Sequence, residues 1–259
     1  MTSLRLHDLT LRAGARTLVQ DLSATIAAGE AWCIAGPNGA GKTTLIGVLA
    51  GLAKPASGSV TLDDRALASW RAPDLARERA LMPQSTHDVF SATVLDTVLL
   101  NRFPYLTGWG WESDDDRAAA RAALDALGLA SLAARDVLTL SGGERQRVAL
   151  AAVLCQNAPL LLLDEPLAHL DLHHQIDCLT ALAKAARDEQ RAVVFSCHDL
   201  NLARRFATHA LLLDGKGGAT SGPVADVLTP ERTSAAFGYP LVLIRDGAHE
   251  ALVPSIHRL

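Results

Sequence analysis

Residues 36–44 constrain this chain more than any other stretch. They read Gly36-Pro37-Asn38-Gly39-Ala40-Gly41-Lys42-Thr43-Thr44 and fit G-x-x-x-x-G-K-[ST] at every fixed position. The residues before them, 31–35, read as a short buried strand, and residues 43–50 read as the start of a helix. That strand–loop–helix context is what the motif requires. Glycines let the loop adopt backbone angles that a β-carbon forbids, so successive N–H groups can turn inward on phosphate oxygens. The helix start behind them adds positive partial charge. Lys42 is then expected to reach the β- and γ-phosphates of a nucleotide, and Thr43 to hold magnesium.

The rest of the composition sets limits. A chain of 259 residues, 49% hydrophobic and 20% charged, can bury one large core with a sizeable subdomain. A net charge of −4 without a long Lys/Arg block argues against broad nucleic-acid binding. No apolar run approaches the ~18 residues of a membrane span, and the first eight residues alternate like a strand rather than forming a signal-peptide core. Cys33, Cys155, Cys178 and Cys197 are far apart and lie in or beside apolar runs, which predicts reduced, buried thiols, with a zinc site as the alternative.

In chain order, residues 4–11 read as a first strand, 23–26 as part of a second, 58–64 as a strand entering an Asp-Asp turn, and 80–84 as a short strand ending at Pro83-Gln84. Residues 93–100 have helical spacing, and 101–111 read as a loop. Ser113-Asp114-Asp115-Asp116 reads as an acidic helix start followed by an apolar face of Ala120, Leu124 and Leu127. The α/β pattern resumes at Pro159. Residues 160–163 are four leucines, a run that suits a strand buried on both faces. A helix is expected over 172–187 with Ile176, Leu179, Leu182 and Ala186 on one side, then strands over 192–196 and 210–213. The tail, 223–259, carries no obvious chemistry.

Two further constellations bear on chemistry. Asp164 and Glu165 end the leucine strand, where ligands sit in open α/β sheets. Asp164 is placed to hold magnesium, directly or through water, and Glu165 to polarise the water that attacks a γ-phosphate. Their bland alternative is a charged turn after a core strand. Leu140-Ser141-Gly142-Gly143-Glu144-Arg145-Gln146 offers a second helix start, capped by Ser141, with free N–H groups facing outward. A chain with one nucleotide site has little use for a second phosphate surface unless it serves another chain.

These motifs together resemble the ATP-binding subunit of ATP-binding cassette (ABC) transporters. Residues 36–43 match Walker A, 140–146 the LSGGERQ signature, and 160–165 Walker B with its glutamate. Gln84 falls at the Q-loop, residues 168–171 at the D-loop, and His198 at the switch histidine. The resemblance implies a RecA-like P-loop core over 1–84 and 156–222, interrupted by an α-helical subdomain over 85–155. It implies ATP and Mg2+ as cofactors, with Thr43, Gln84 and Asp164 on the metal and Glu165 and His198 catalytic. A head-to-tail homodimer would close Ser141, Gly142 and Gly143 of one copy on the nucleotide of the other, with Asp171 acting across the interface. It further implies a permease dimer, a substrate-binding protein acting through it, and a place on the cytoplasmic face of the cell membrane.

Asn101-Arg102-Phe103-Pro104 and Leu170-Asp171-Leu172-His173-His174-Gln175 resemble the importers of ferric siderophores, haem and cobalamin. A soluble ABC ATPase of DNA or ribosome metabolism and an exporter subunit are the alternatives. Phe103, Tyr105, Trp109 and Trp111 are expected either to meet the permease or to pack locally. His169, His173 and His174 read either as a metal cluster or as a polar interface and helix start. The aromatic residue with which the family stacks adenine is missing from residues 11–16, which leaves Arg12 or Arg16 as stacking candidates.

Overall fold

The computed structural model describes residues 2–85, 90–106, 112–247 and 249–255. Strands β1 (Ser3–Ala13) and β2 (Arg16–Ala27) form a hairpin, followed by β3 (Ala31–Ala35) and helix α1 (Lys42–Leu49). Next come β4 (Ser57–Leu62), β5 (Arg65–Ala66), α2 (Ala72–Glu78) and β6 (Arg79–Met82). Asp63 and Asp64 form the turn after β4, both at positive φ (50° and 61°), a conformation that short carboxamide and carboxylate side chains tolerate. Helices α3 (Val94–Leu99), α4 (Asp114–Asp125) and α5 (Gly142–Gln156) then pack on one another. The chain continues through β7 (Leu160–Leu163), α6 (Leu172–Arg187), β8 (Ala192–Ser196), α7 (Leu200–Phe206), β9 (His209–Leu213) and β10 (Ala219–Pro223). It ends in α8 (Val224–Val227), α9 (Pro230–Phe237) and a hairpin of β11 (Leu241–Asp246) and β12 (His249–Pro254).

Among the described residues the central sheet runs in the order β10-β9-β3-β8-β7-β6. Every neighbouring pair from β9 to β6 is parallel, and β10 closes one edge antiparallel. Leu163 pairs with Met82 on one side and Phe195 on the other, and Cys33 pairs with Phe195. The carboxyl ends of four strands therefore stand side by side. The residues that follow them are Gln84, Asp164, His198 and the loop at 36–44. This is the edge at which open parallel sheets bind ligands.

Alternation along the strands divides the core in two. Leu161, Leu163, Cys33, Val193 and Phe195 face the cluster shared with α3 to α6, whereas Leu160, Leu162, Ile34 and Val194 face α1 and the second sheet, β2-β1-β4-β5. The four leucines of β7 are fully buried. At about 1.5–3 kcal/mol for each leucine removed from water, this strand is a major anchor for the carboxylates at its end.

Two expectations need correction. Residues 101–105, expected in a loop, belong to a 3-10 helix, Leu100–Tyr105, carried on from α3. Arg102 holds it down. Its guanidinium donates to Asp116 of α4 at 2.7 Å and lies over the Tyr105 ring at 4.4 Å. Ile176 is 40% exposed rather than packed. At 100° per residue it lies about 120° from the centre of the α6 face formed by Cys178, Leu179, Leu182, Ala185 and Ala186. Tyr105 packs locally, its hydroxyl donating to Arg77 O, whereas Phe103 is 76% exposed. Trp109 and Trp111 lie outside the described residues. The four cysteines are buried free thiols, as their apolar settings predict.

Candidate nucleotide site

The loop at 36–44 is shaped by its glycines. Gly36 sits at φ +149°, and a β-carbon there would stand 2.5 Å from Leu213 O. Gly41, at φ +106°, caps α1, and its missing β-carbon would lie 3.0 Å from that of Leu18. Only glycine meets both the angle and the space. Lys42 begins α1 with its side chain turned back along the loop, donating from Nζ to Gly36 O at 2.9 Å and Pro37 O at 3.2 Å. Burial pulls its pKa down, and the neighbouring Glu165 and Asp164 carboxylates oppose that shift.

Beyond β7 the two carboxylates take different surroundings. Asp164 is 2% exposed and accepts a hydrogen bond from Ser196 Oγ at 2.8 Å. The same hydroxyl oxygen accepts the Glu165 N–H at 2.7 Å, so one serine ties both residues to β8. Glu165 has φ +51°, a left-handed conformation that turns its side chain out of the strand direction. Its Oε1 stands 3.0 Å from His198 Nε2. Burial would raise the Glu165 pKa, but hydrogen bonds from His198 and Gln84 outweigh it and hold the carboxyl below its usual range. Gln146 Nε2 donates to Glu165 O at 2.9 Å, which links α5 to this corner.

A cleft of about 760 Å³ joins these groups. It is lined by Asn38, Gly39, Gly41, Lys42, Thr43 and Thr44 from the loop and helix start, and by Gln84, Glu165 and His198 from the strand ends. Ala13 at the end of β1 and Arg16 at the start of β2 line it too. Arg16 is fixed by a 2.7 Å bond from Nη2 to Gly215 O. Arg12 is not among the lining residues. Gly36, Pro37 and Ala40 shape the loop without lining the cleft, and the buried Asp164 does not line it either.

Ser141, Gly142, Gly143 and Asp171 do not line this cleft. Ser141 caps α5 in a reciprocal box: its Oγ accepts the Glu144 N–H and the Glu144 carboxylate accepts the Ser141 N–H. Asp171 caps α6 by accepting the His174 N–H at 2.9 Å. These two helix starts pack together, for a β-carbon on Gly143 would come within 3.2 Å of His169 O. The loop at 36–44 and the Ser141 helix start are therefore separate surfaces of one chain.

A profile of the ABC transporter family matches residues 19–168. The chain belongs to that family. This ABC transporter subunit is 39% identical over 242 residues to the hemin import ATP-binding protein HmuV of Rhodococcus jostii strain RHA1, covering 93% of this chain and 82% of the relative. It is 34% identical to the iron(3+)-hydroxamate import ATP-binding protein FhuC of Bacillus subtilis strain 168, covering 95% and 91%. Its fold matches a solved inward-facing structure assigned to the metal-chelate type of ABC transporter. That match has a TM-score of 0.85 at 29% identity, over 99% of this chain and 98% of the other. The ABC subunit is an ATPase coupled to transport, on a P-loop α/β fold. Among the described residues no helix is long and apolar enough to cross a membrane.

Ser196 is a functional residue that the sequence does not announce. A serine at a strand end carries no signal by itself, and its role depends on β7 and β8 being neighbours. Gln146, which the sequence marks only as part of the signature, also supports Glu165 from within the chain.

Proposed function

We propose that this ABC subunit hydrolyses ATP to power uptake of a metal chelate, of the haem, ferric-siderophore or cobalamin class, through a partner permease. The relatives named for hemin and iron-hydroxamate import support the substrate class, and the metal-chelate transporter structure agrees with it. The observation that carries the ATPase mechanism is the grouping of Glu165, His198 and Gln84 at the mouth of the lysine-lined cleft.

Lys42 and the loop amides hold the phosphates, and Thr44 borders them. Thr43, Gln84 and Asp164 offer the hard oxygen donors that suit Mg2+, two of them lining the cleft and the third buried and close enough to act on Lys42. The ion, when bound, neutralises charge on the phosphates. Glu165, kept ionised by its partners, accepts a proton from the attacking water, and His198 orients that carboxylate. Arg16 offers its guanidinium plane to the base. Ser141, Gly142 and Gly143 of a second copy close over the γ-phosphate, and Asp171 works across the same interface. Closure is passed through Gln84 and α3 to α5 to the permease, against which the exposed Phe103 is available. The complex sits on the cytoplasmic face of the membrane, supplied by a substrate-binding protein.

The test is Glu165→Gln. Removing the base is expected to leave ATP affinity near wild type while lowering turnover by about a hundredfold or more, read by nucleotide titration and phosphate release. Turnover within a few-fold of wild type removes Glu165 from the catalytic role.

A further inference from the structure

Away from the cleft, α6 gathers three metal-donor side chains on its first turns. His173 Nε2 lies 3.5 Å from Asp177 Oδ2, and His174 Nδ1 lies 3.7 Å from the same oxygen. One donor atom from each residue falls within 4.8 Å of the other two. The helix makes this possible, because residues three and four apart share a face. His169, the third histidine of the stretch, is not part of the group.

A second observation points to a ligand. Nδ1 of His174 is buried and makes no hydrogen bond, and Asp177 is beyond hydrogen-bond range. A simple His–Asp ion pair accounts for the exposed His173 but leaves that buried nitrogen unsatisfied, at a cost of desolvation. An ion bound about 2.0–2.2 Å from each donor puts neighbouring donors roughly 3.3 Å apart; the two contacts to Asp177, at 3.5 and 3.7 Å, are close to that, and the two imidazole nitrogens, within 4.8 Å of each other, close in further on binding.

The electrostatics oppose each other. The start of α6 carries positive partial charge, which disfavours a cation. Asp171, capping the same turn, supplies a carboxylate against it. Two imidazoles and one carboxylate select late first-row divalent ions over Mg2+ or Ca2+, which take oxygen donors.

We propose that His173, His174 and Asp177 form a site for a late first-row divalent cation of the Zn2+ kind, at the beginning of α6 and two residues beyond Asp171. The site is independent of the nucleotide cleft and of the import reading. It braces the turn that connects the 165–171 segment to α6, the segment that packs against Gly143.

The experiment is calorimetric titration of the full-length, nucleotide-free chain, stripped with a chelator, with Zn2+ as probe and Mg2+ as control. The expected result is one Zn2+ per chain, no matching Mg2+ binding, and affinity at least about tenfold weaker in both His173→Ala and Asp177→Asn. His249→Ala, an exposed histidine on β12, is expected to bind like wild type. His173 is 81% exposed, so its loss leaves folding intact. Absence of Zn2+ binding by the wild type, or a smaller loss in either variant, overturns the site.

Discussion

Ser196 carries more of the site than its small side chain suggests. Its hydroxyl donates to Asp164, which is 2% exposed, and accepts the Glu165 N–H, fixing both carboxylates against β8. Ser196→Ala leaves a buried carboxylate oxygen and a backbone N–H without that partner. The expected cost is about 1–3 kcal/mol of stability, read by urea unfolding. ATPase activity is expected to fall with it, since Glu165 is no longer anchored. Unchanged stability and turnover would show that Asp164 and Glu165 hold their positions unaided. Asp164, Glu165 and His198 were legible because each follows an apolar run that could only be a buried strand. Ser196 was not, because nothing in a linear sequence says that residues 163 and 195 will be cross-strand neighbours.

At the scale of elements, Arg102 and Asp116 tie the 3-10 segment to α4. The Asp116 carboxyl is pulled down to about 2 by the Ser113 backbone N–H, the Arg102 guanidinium and the Ser113 hydroxyl. The sign follows from a folded pKa below the unfolded one. This contribution is fully present above about pH 4 and is lost as the pH falls toward 2, a shift worth about 2 kcal/mol. In urea unfolding between pH 2 and 5, the gap between wild type and Asp116→Asn is expected to be widest at the upper end and to shrink on acidification. A gap independent of pH would mean that the charge on Asp116 is not what matters. The acidic helix start at 113–116 was readable from sequence, since Ser followed by three Asp is a capping pattern. The 3-10 turn was not, because its hold comes from an arginine whose partner lies fourteen residues on. Ile176 failed for a related reason: an apolar residue at the flank of a helix fits a periodic pattern without reaching the core.

At the scale of the whole molecule, the proposed function turns on the separation of the Lys42 cleft from the Ser141 helix start. The cleft lined by Lys42, Glu165 and His198 faces one way, and the Ser141 helix start is not part of it. Within one chain Ser141, Gly142 and Gly143 do not line the Lys42 cleft, and Gly143 packs against His169 and Leu170 of its own chain. The central claim is that each ATP site is made from two copies. It is tested most directly by mixing Lys42→Ala with Ser141→Arg. Either variant alone has no intact composite site and is expected to hydrolyse ATP at background. A mixed head-to-tail pair has one intact site, built from Lys42 of one chain and Ser141 of the other, so mixing should restore activity toward about a quarter of the wild-type rate. A mixture no more active than the separate variants would contradict the two-copy site.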